Sequence, residues 1–271
     1  MSKTRGVVLQ KVLWKRYVWE RQTIGQLAKR YKRSRQWIRE QLDRAPITKA
    51  DVKGHRAVIV ADMTFSKRTF GICVFRAVHL RKNLYWTVAS RETAGIYDEC
   101  RRRIEELGFE ISGVVVDGKP GIIEVFWDIP VQMCHFHQSA IITRYLTTRP
   151  KLPPAKELRA IALNIGNSNE DGLKESLDSW YKKWELFLRE KTLNQETGRW
   201  HYTHKRLRSA YRSITRNLPL LYTYQKHPEL KIPNTTNSLD GTFAHLKNML
   251  HIHRGLKRDR KLKLIHEILS K

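Results

Sequence analysis

Asp62 closes the apolar run Ala57-Val58-Ile59-Val60-Ala61, and Asp117 closes a second run, Ile111 to Val116. A third aspartate, Asp240, stands in Asn237-Ser238-Leu239-Asp240-Gly241, just before an amphipathic stretch. Carboxylate oxygens are hard donors suited to a divalent cation. If the two runs are parallel neighbouring strands, Asp62 and Asp117 emerge at one sheet edge and repel each other unless a cation or a proton lies between them. The alternative is that each aspartate only caps the turn that follows it.

Other chemistries compete for the remaining residues. His135-Phe136-His137 could set two imidazoles on one strand face, with Tyr145 nearby as the nucleophile of a single-strand endonuclease. Cys134, His137, His251 and His253 are a conceivable zinc set, but their spacing is not that of a closed site. His251-Ile252-His253-Arg254 is similar to the His-x-x-Arg of tyrosine recombinases, yet no tyrosine follows before Lys271. Three cysteines, Cys73, Cys100 and Cys134, are odd in number and lack Cys-x-x-Cys spacing, as expected for reduced thiols in cytoplasm.

The chain of 271 residues carries 52 Lys and Arg against 26 Asp and Glu, a formal net charge of +26. That excess calls for a polyanion, and nucleic acid is the commonest, because each neutralised phosphate releases a counterion. No run of about 18 apolar residues appears, nor a basic-then-apolar leader at Met1, so a soluble protein in the cytoplasm, associated with the nucleoid, is expected, with no membrane partner.

The elements that would position these groups follow from periodicity. Residues 10 to 45 carry two helical patterns with a short break at Lys32-Arg33. Thr23 and Gln26 have capping-box spacing and Ser34 can cap the second helix. This is the layout of a helix-turn-helix, with Trp37, Ile38 and Leu42 inward and Arg35, Gln36 and Arg39 free to read base edges in a major groove. Ala45-Pro46-Ile47-Thr48 then opens a polar linker, which puts a domain boundary near residue 50. Three short β-rich runs read as an antiparallel meander: Ala57 to Ala61, Thr69 to Phe75 and Leu84 to Val88. A helix to Gly108, the strand Ile111 to Val116, a short helix and a strand Pro130 to Cys134 complete a mixed α/β sheet of five strands.

Four stretches together resemble DDE-type insertion-sequence transposases of the Mutator-like group: Ala61-Asp62-Met63-Thr64-Phe65, Val115-Val116-Asp117-Gly118-Lys119-Pro120-Gly121, Gln132-Met133-Cys134-His135-Phe136-His137 and Thr236-Asn237-Ser238-Leu239-Asp240-Gly241. The resemblance covers residues 50 to 265 and implies an RNase H-like domain with a mostly helical insertion. It maps Asp62, Asp117 and Asp240 onto the catalytic, metal-binding triad, and Cys134 with His137 onto the family's Cys-x-x-His pair. The third acid of the family is usually Glu; here it is Asp, one methylene shorter, with Glu267 as the fallback. The implied cofactor is Mg2+ or Mn2+, two ions per site. The implied partners are double-stranded DNA, as element ends and as target, and a second copy of the chain, since two ends must be cut in concert.

The domains expected are therefore a helix-turn-helix at 1–50, the first part of the RNase H-like core at 51–146, an all-α insertion at 147–233 and the third acid's helix at 234–271. Within the insertion, Trp180, Trp184 and Phe187 recur at helical spacing and read as its core. Lys205, Arg208 and Arg212, with His204, Arg206 and Arg216, form a basic helix face that could track DNA phosphates. The basic stretch Arg254 to Lys263 is likewise suited to backbone contacts. A rival of another class is a catalytically inactive DNA-binding regulator that acts only through residues 10 to 45, a reading that rests on the shortened acid at 240.

Overall fold

A computed structural model of the chain describes residues 3–47 and 55–270. It opens with α1 (Lys3–Val18), α2 (Ile24–Tyr31) and α3 (Arg35–Arg44). The capping box forms as its spacing predicts: Gln26 N donates to Thr23 Oγ1 and Thr23 N donates to Gln26 Oε1. Trp37 N donates to Ser34 Oγ at the start of α3. Helix α1 is a third helix that the two helical patterns do not mark: Val7, Val8 and Val12 face solvent while Leu13, Trp14, Tyr17 and Val18 are buried, so its apolar residues do not form one stripe. The boundary expected near residue 50, with Thr48 of the linker, lies outside the described residues.

The sheet follows. β1 (Arg56–Lys67), β2 (Phe70–Ala77) and β3 (Lys82–Ala89) are the antiparallel meander. Helix α4 (Ala94–Glu106) leads to β4 (Glu110–Val116), and α5 (Pro120–Glu124) to β5 (Val131–Met133). The order is β3-β2-β1-β4-β5, with β4 parallel to both β1 and β5, which is the mixed five-stranded sheet expected from the sequence. Period-two alternation divides its core. Ala57, Ile59 and Ala61 pack with α4 and α5 on one face, while Val58, Val60 and Val115 pack on the other.

Helix α6 (His135–Leu146) enters the insertion, made of α7 (Pro153–Leu163), α8 (Glu170–Arg189), β6 (Lys191–Asn194), β7 (Arg199–Tyr202), α9 (Lys205–Leu221) and α10 (Thr223–Lys226). It is not all-α: β6 and β7 pair as a hairpin between α8 and α9. The polar break at Asn194 to Gly198 is its turn, in which Asn194 Oδ1 accepts from the amides of Glu196 and Thr197. Trp180 is buried, stacks on Tyr211 and donates to Pro154 O, so it belongs to the insertion's core. Buried polar bonds tie the insertion to the sheet: Gln132 donates to Leu221 O and accepts from Tyr224 N, and Thr223 Oγ1 donates to Val131 O.

Two last helices, α11 (Asn237–Ile252) and α12 (Arg258–Leu269), return to the sheet. Leu239, Phe243, Leu246 and Met249 of α11 and Ile265 of α12 join Val58 and Val60 in one cluster, which also takes in Leu13, Tyr17, Leu27, Ile38 and Leu42. The helix-turn-helix therefore shares a core with the five-stranded sheet. Arg260 is 7% exposed and clasps Asp43 with two hydrogen bonds of 2.7 and 2.6 Å, which corrects its expected place on a solvent-facing basic stretch. Lys263 Nζ donates to the carbonyls of Leu42 and Asp43 at the end of α3.

Candidate active site and nucleic-acid groove

Strand β1 pairs with β4 as far as Val60 against Val115, and carrying that parallel register two residues further sets Asp62 against Asp117. Beyond Val60 β1 continues to Lys67 against β2, so Asp62 lies within its strand and not at its end. By the same alternation Asp62 follows Val58 and Val60, and Asp117 follows Val115, toward the face that α11 covers. Asp117 Oδ1 accepts from Lys119 N, which turns the chain into α5. Gly118 makes that turn possible, since its φ is +86° and a Cβ there would lie 2.5 Å from the Met133 side chain.

Burial pushes the Asp62 carboxyl up to about 6; the His137 charge and the Met63 amide, 2.7 Å from Oδ1, oppose this, while Glu92 and Asp117 add to it. Burial also raises Asp117, again with Glu92 adding to the shift. Neither aspartate has an ion-pair partner among the described residues. Two desolvated, mutually repelling carboxylates are the donor chemistry a hard dication takes. Asp62 and Asp117 would hold it, and among the described residues no third His, Cys, Asp or Glu completes a metal-holding group. Asp240 stands in the first turn of α11, exposed to solvent and outside the charges that act most strongly on the other two.

Glu92, in the loop before α4, is the group that sequence reasoning missed. It accepts from Tyr97 Oη at 2.8 Å and pairs with Lys119 Nζ. No spacing marks it, because it reaches the site through the loop that follows β3; only an acidic residue at the same end of the sheet as Asp117 hints at it. His137 is held up to about 9 by the Cys134 sulfur beside it and, more weakly, by Asp62 and Asp117. Burial pushes the Cys134 thiol up, but the neighbouring His137 and Thr236 outweigh this and its net shift is downward. Thr236 N donates to Cys134 Sγ at 3.4 Å, which joins the segment before α11 to the strand end beside the carboxylates.

Asp117 and His137 open into a groove of about 760 Å³ whose other wall is basic, with Lys119, Arg144, Arg206, Arg212 and Arg216, and with Tyr145 alongside. Of the expected phosphate-tracking residues, Arg206, Arg212 and Arg216 line this groove. Arg208 is occupied elsewhere: it lies 3.6 Å over the Tyr202 ring and donates to Leu188 O, which fastens the hairpin. Lys205 is exposed at the start of α9 and does not line the groove. In the helix-turn-helix, Arg35, Gln36 and Arg39 are exposed, and Gln36 donates to Glu40.

The rival chemistries lose their geometry. His135 and His137 lie on the first turn of a helix, not on a strand; His135 is buried with Nε2 2.6 Å from Leu221 O, and burial lowers its pKa. His253 is buried against Tyr17, with Nε2 3.0 Å from Tyr17 O. Glu267, the fallback acid, is buried beside Trp19, whose Nε1 donates to it.

No family model matches the chain, and no curated protein matches it. Among solved structures, the Drosophila P element transposase strand transfer complex is 11% identical with a TM-score of 0.39, covering 97% of this chain and 91% of that one. The simian T-cell lymphotropic virus intasome in complex with the PP2A regulatory subunit B56 gamma is 10% identical with a TM-score of 0.23, covering 74% and 68%. At this degree of likeness no residue role passes from either to this chain. No helix among the described residues is long and apolar enough to cross a membrane.

Proposed function

We propose that the chain is a DNA transposase of the DDE type, similar to the Mutator-like insertion-sequence enzymes, that binds the ends of its element, cuts them and joins them to target DNA. The observation that carries this is the pair Asp62 and Asp117, half-buried on adjacent parallel strands, with Asp117 lining a groove walled by arginines. Arg144, Arg206, Arg212 and Arg216 would hold the phosphate backbone, and Asp62 and Asp117 would take Mg2+ or Mn2+ between them. In a two-metal site the ions activate the attacking oxygen and stabilise the leaving one. Asp240, at the start of α11, is the proposed third acid. It reaches the pair when DNA is bound, and a second copy of the chain acts on the other element end.

A second reading is supported by the exposure of Asp240 and its missing methylene: a regulator that binds DNA through α3 and does not cut. Purified protein incubated with a supercoiled plasmid carrying the native element separates the two. Breaks at the element ends that need Mg2+ or Mn2+ and vanish in Asp240→Ala support the transposase. Specific binding without cleavage under either metal supports the regulator.

A further inference from the structure

The turn between α11 and α12 faces the helix-turn-helix across a crevice of about 340 Å³. One wall is Gly25, Arg35 and Arg39; the other is Arg254 and Gly255. Gly255 has φ +76° and nothing within 4 Å of the position a Cβ would take, so it serves the reversal of the turn and leaves the crevice open. No acidic side chain lines the crevice, and Asp43 at the end of α3 is engaged by Arg260. Arg35 and Arg39 form no ion pair among the described residues, and Arg254 meets only the His251 ring.

Four arginines line the crevice; Arg260 is engaged by Asp43, and the guanidinium groups of Arg35, Arg39 and Arg254 repel one another, each presenting a fork matched to the oxygens of a phosphate. They do not drift apart, because both walls belong to one buried core: the Arg260 clasp on Asp43 and the His253 contact with Tyr17 O join the turn's helices to α1 and α3. We infer that this crevice binds a backbone phosphate of the duplex whose major groove α3 enters. The α11–α12 turn is then the second half of the DNA reader, and Arg254 is the residue that fixes the duplex relative to the catalytic sheet. This rests on reading α3 as the DNA-facing helix.

The test is the salt dependence of full-length protein binding to a labelled mixed-sequence duplex, because a phosphate contact registers whatever the sequence. Arg254→Ala and Arg39→Ala should each lower the log–log salt slope by about one and weaken binding by roughly 10-fold, while Arg254→Lys keeps the slope. Arg102→Ala, which removes the same charge from exposed α4 on the opposite sheet face, should change neither. If Arg39→Ala lowers the slope and Arg254→Ala behaves like Arg102→Ala, the crevice is overturned and α3 remains the reader. If neither Arg39→Ala nor Arg254→Ala differs from Arg102→Ala, the reading of α3 falls and the crevice with it. A loss in Arg254→Ala alone also overturns a site shared between the two walls.

Discussion

Asp62 is charged at a cost. Its carboxyl is raised to about 6, so between the unfolded value and 6 the native state holds a proton that the unfolded chain has lost. The site's contribution to stability is therefore complete below the unfolded pKa and disappears as pH rises through about 6. Asp62→Asn should stabilise the metal-free protein by on the order of 1–3 kcal/mol at about pH 7.5, measured by denaturant melts, even as it removes a proposed metal ligand. On the proposed function, a divalent cation would take the proton's place above that range. Mn2+ should raise the melting temperature of the wild type at about pH 7.5 and leave it nearly unchanged at about pH 5. Glu92 raises both aspartates, so Glu92→Gln should move the acidic limb of the cleavage profile to lower pH. An unmoved limb would remove Glu92 from the site's electrostatics.

Among the elements, the turn after β4 does the most to aim Asp117. Gly118 combines a positive φ with an approach to Met133 that a Cβ would force to shift, so Gly118→Ala should destabilise the fold by roughly 1–3 kcal/mol in the same melts. The strands were legible because their apolar runs are short and bounded by polar turns, and Asp62 and Asp117 were legible because each follows such a run. Glu92 was not, since a loop delivers it and loops carry no period. The hairpin of β6 and β7 was hidden between two long helical patterns, with only Asn194 to Gly198 marking its turn. Arg208 reads as one more surface cation in the sequence; its stacking on Tyr202 depends on that hairpin being there.

At the scale of the whole molecule, the helix-turn-helix and the sheet are one body, because Leu27, Ile38 and Leu42 share a cluster with Val58 and Ile265. Thermal unfolding should then show a single transition for both parts. Arg260→Ala leaves Asp43 without its partner and removes a buried side chain from that interface; it should cost about 1–3 kcal/mol and lower the transition of both parts together. Two separated transitions in the wild type would contradict the shared core. On the proposed function, Asp62 and Asp117 do the cutting while other surfaces hold the DNA. This is tested most directly by assaying cleavage and duplex binding side by side for the wild type, Asp62→Asn and Asp117→Asn in Mg2+ and in Mn2+. Both variants are expected to bind DNA as the wild type does and to make no breaks. Persistent cleavage by both purified variants would contradict it.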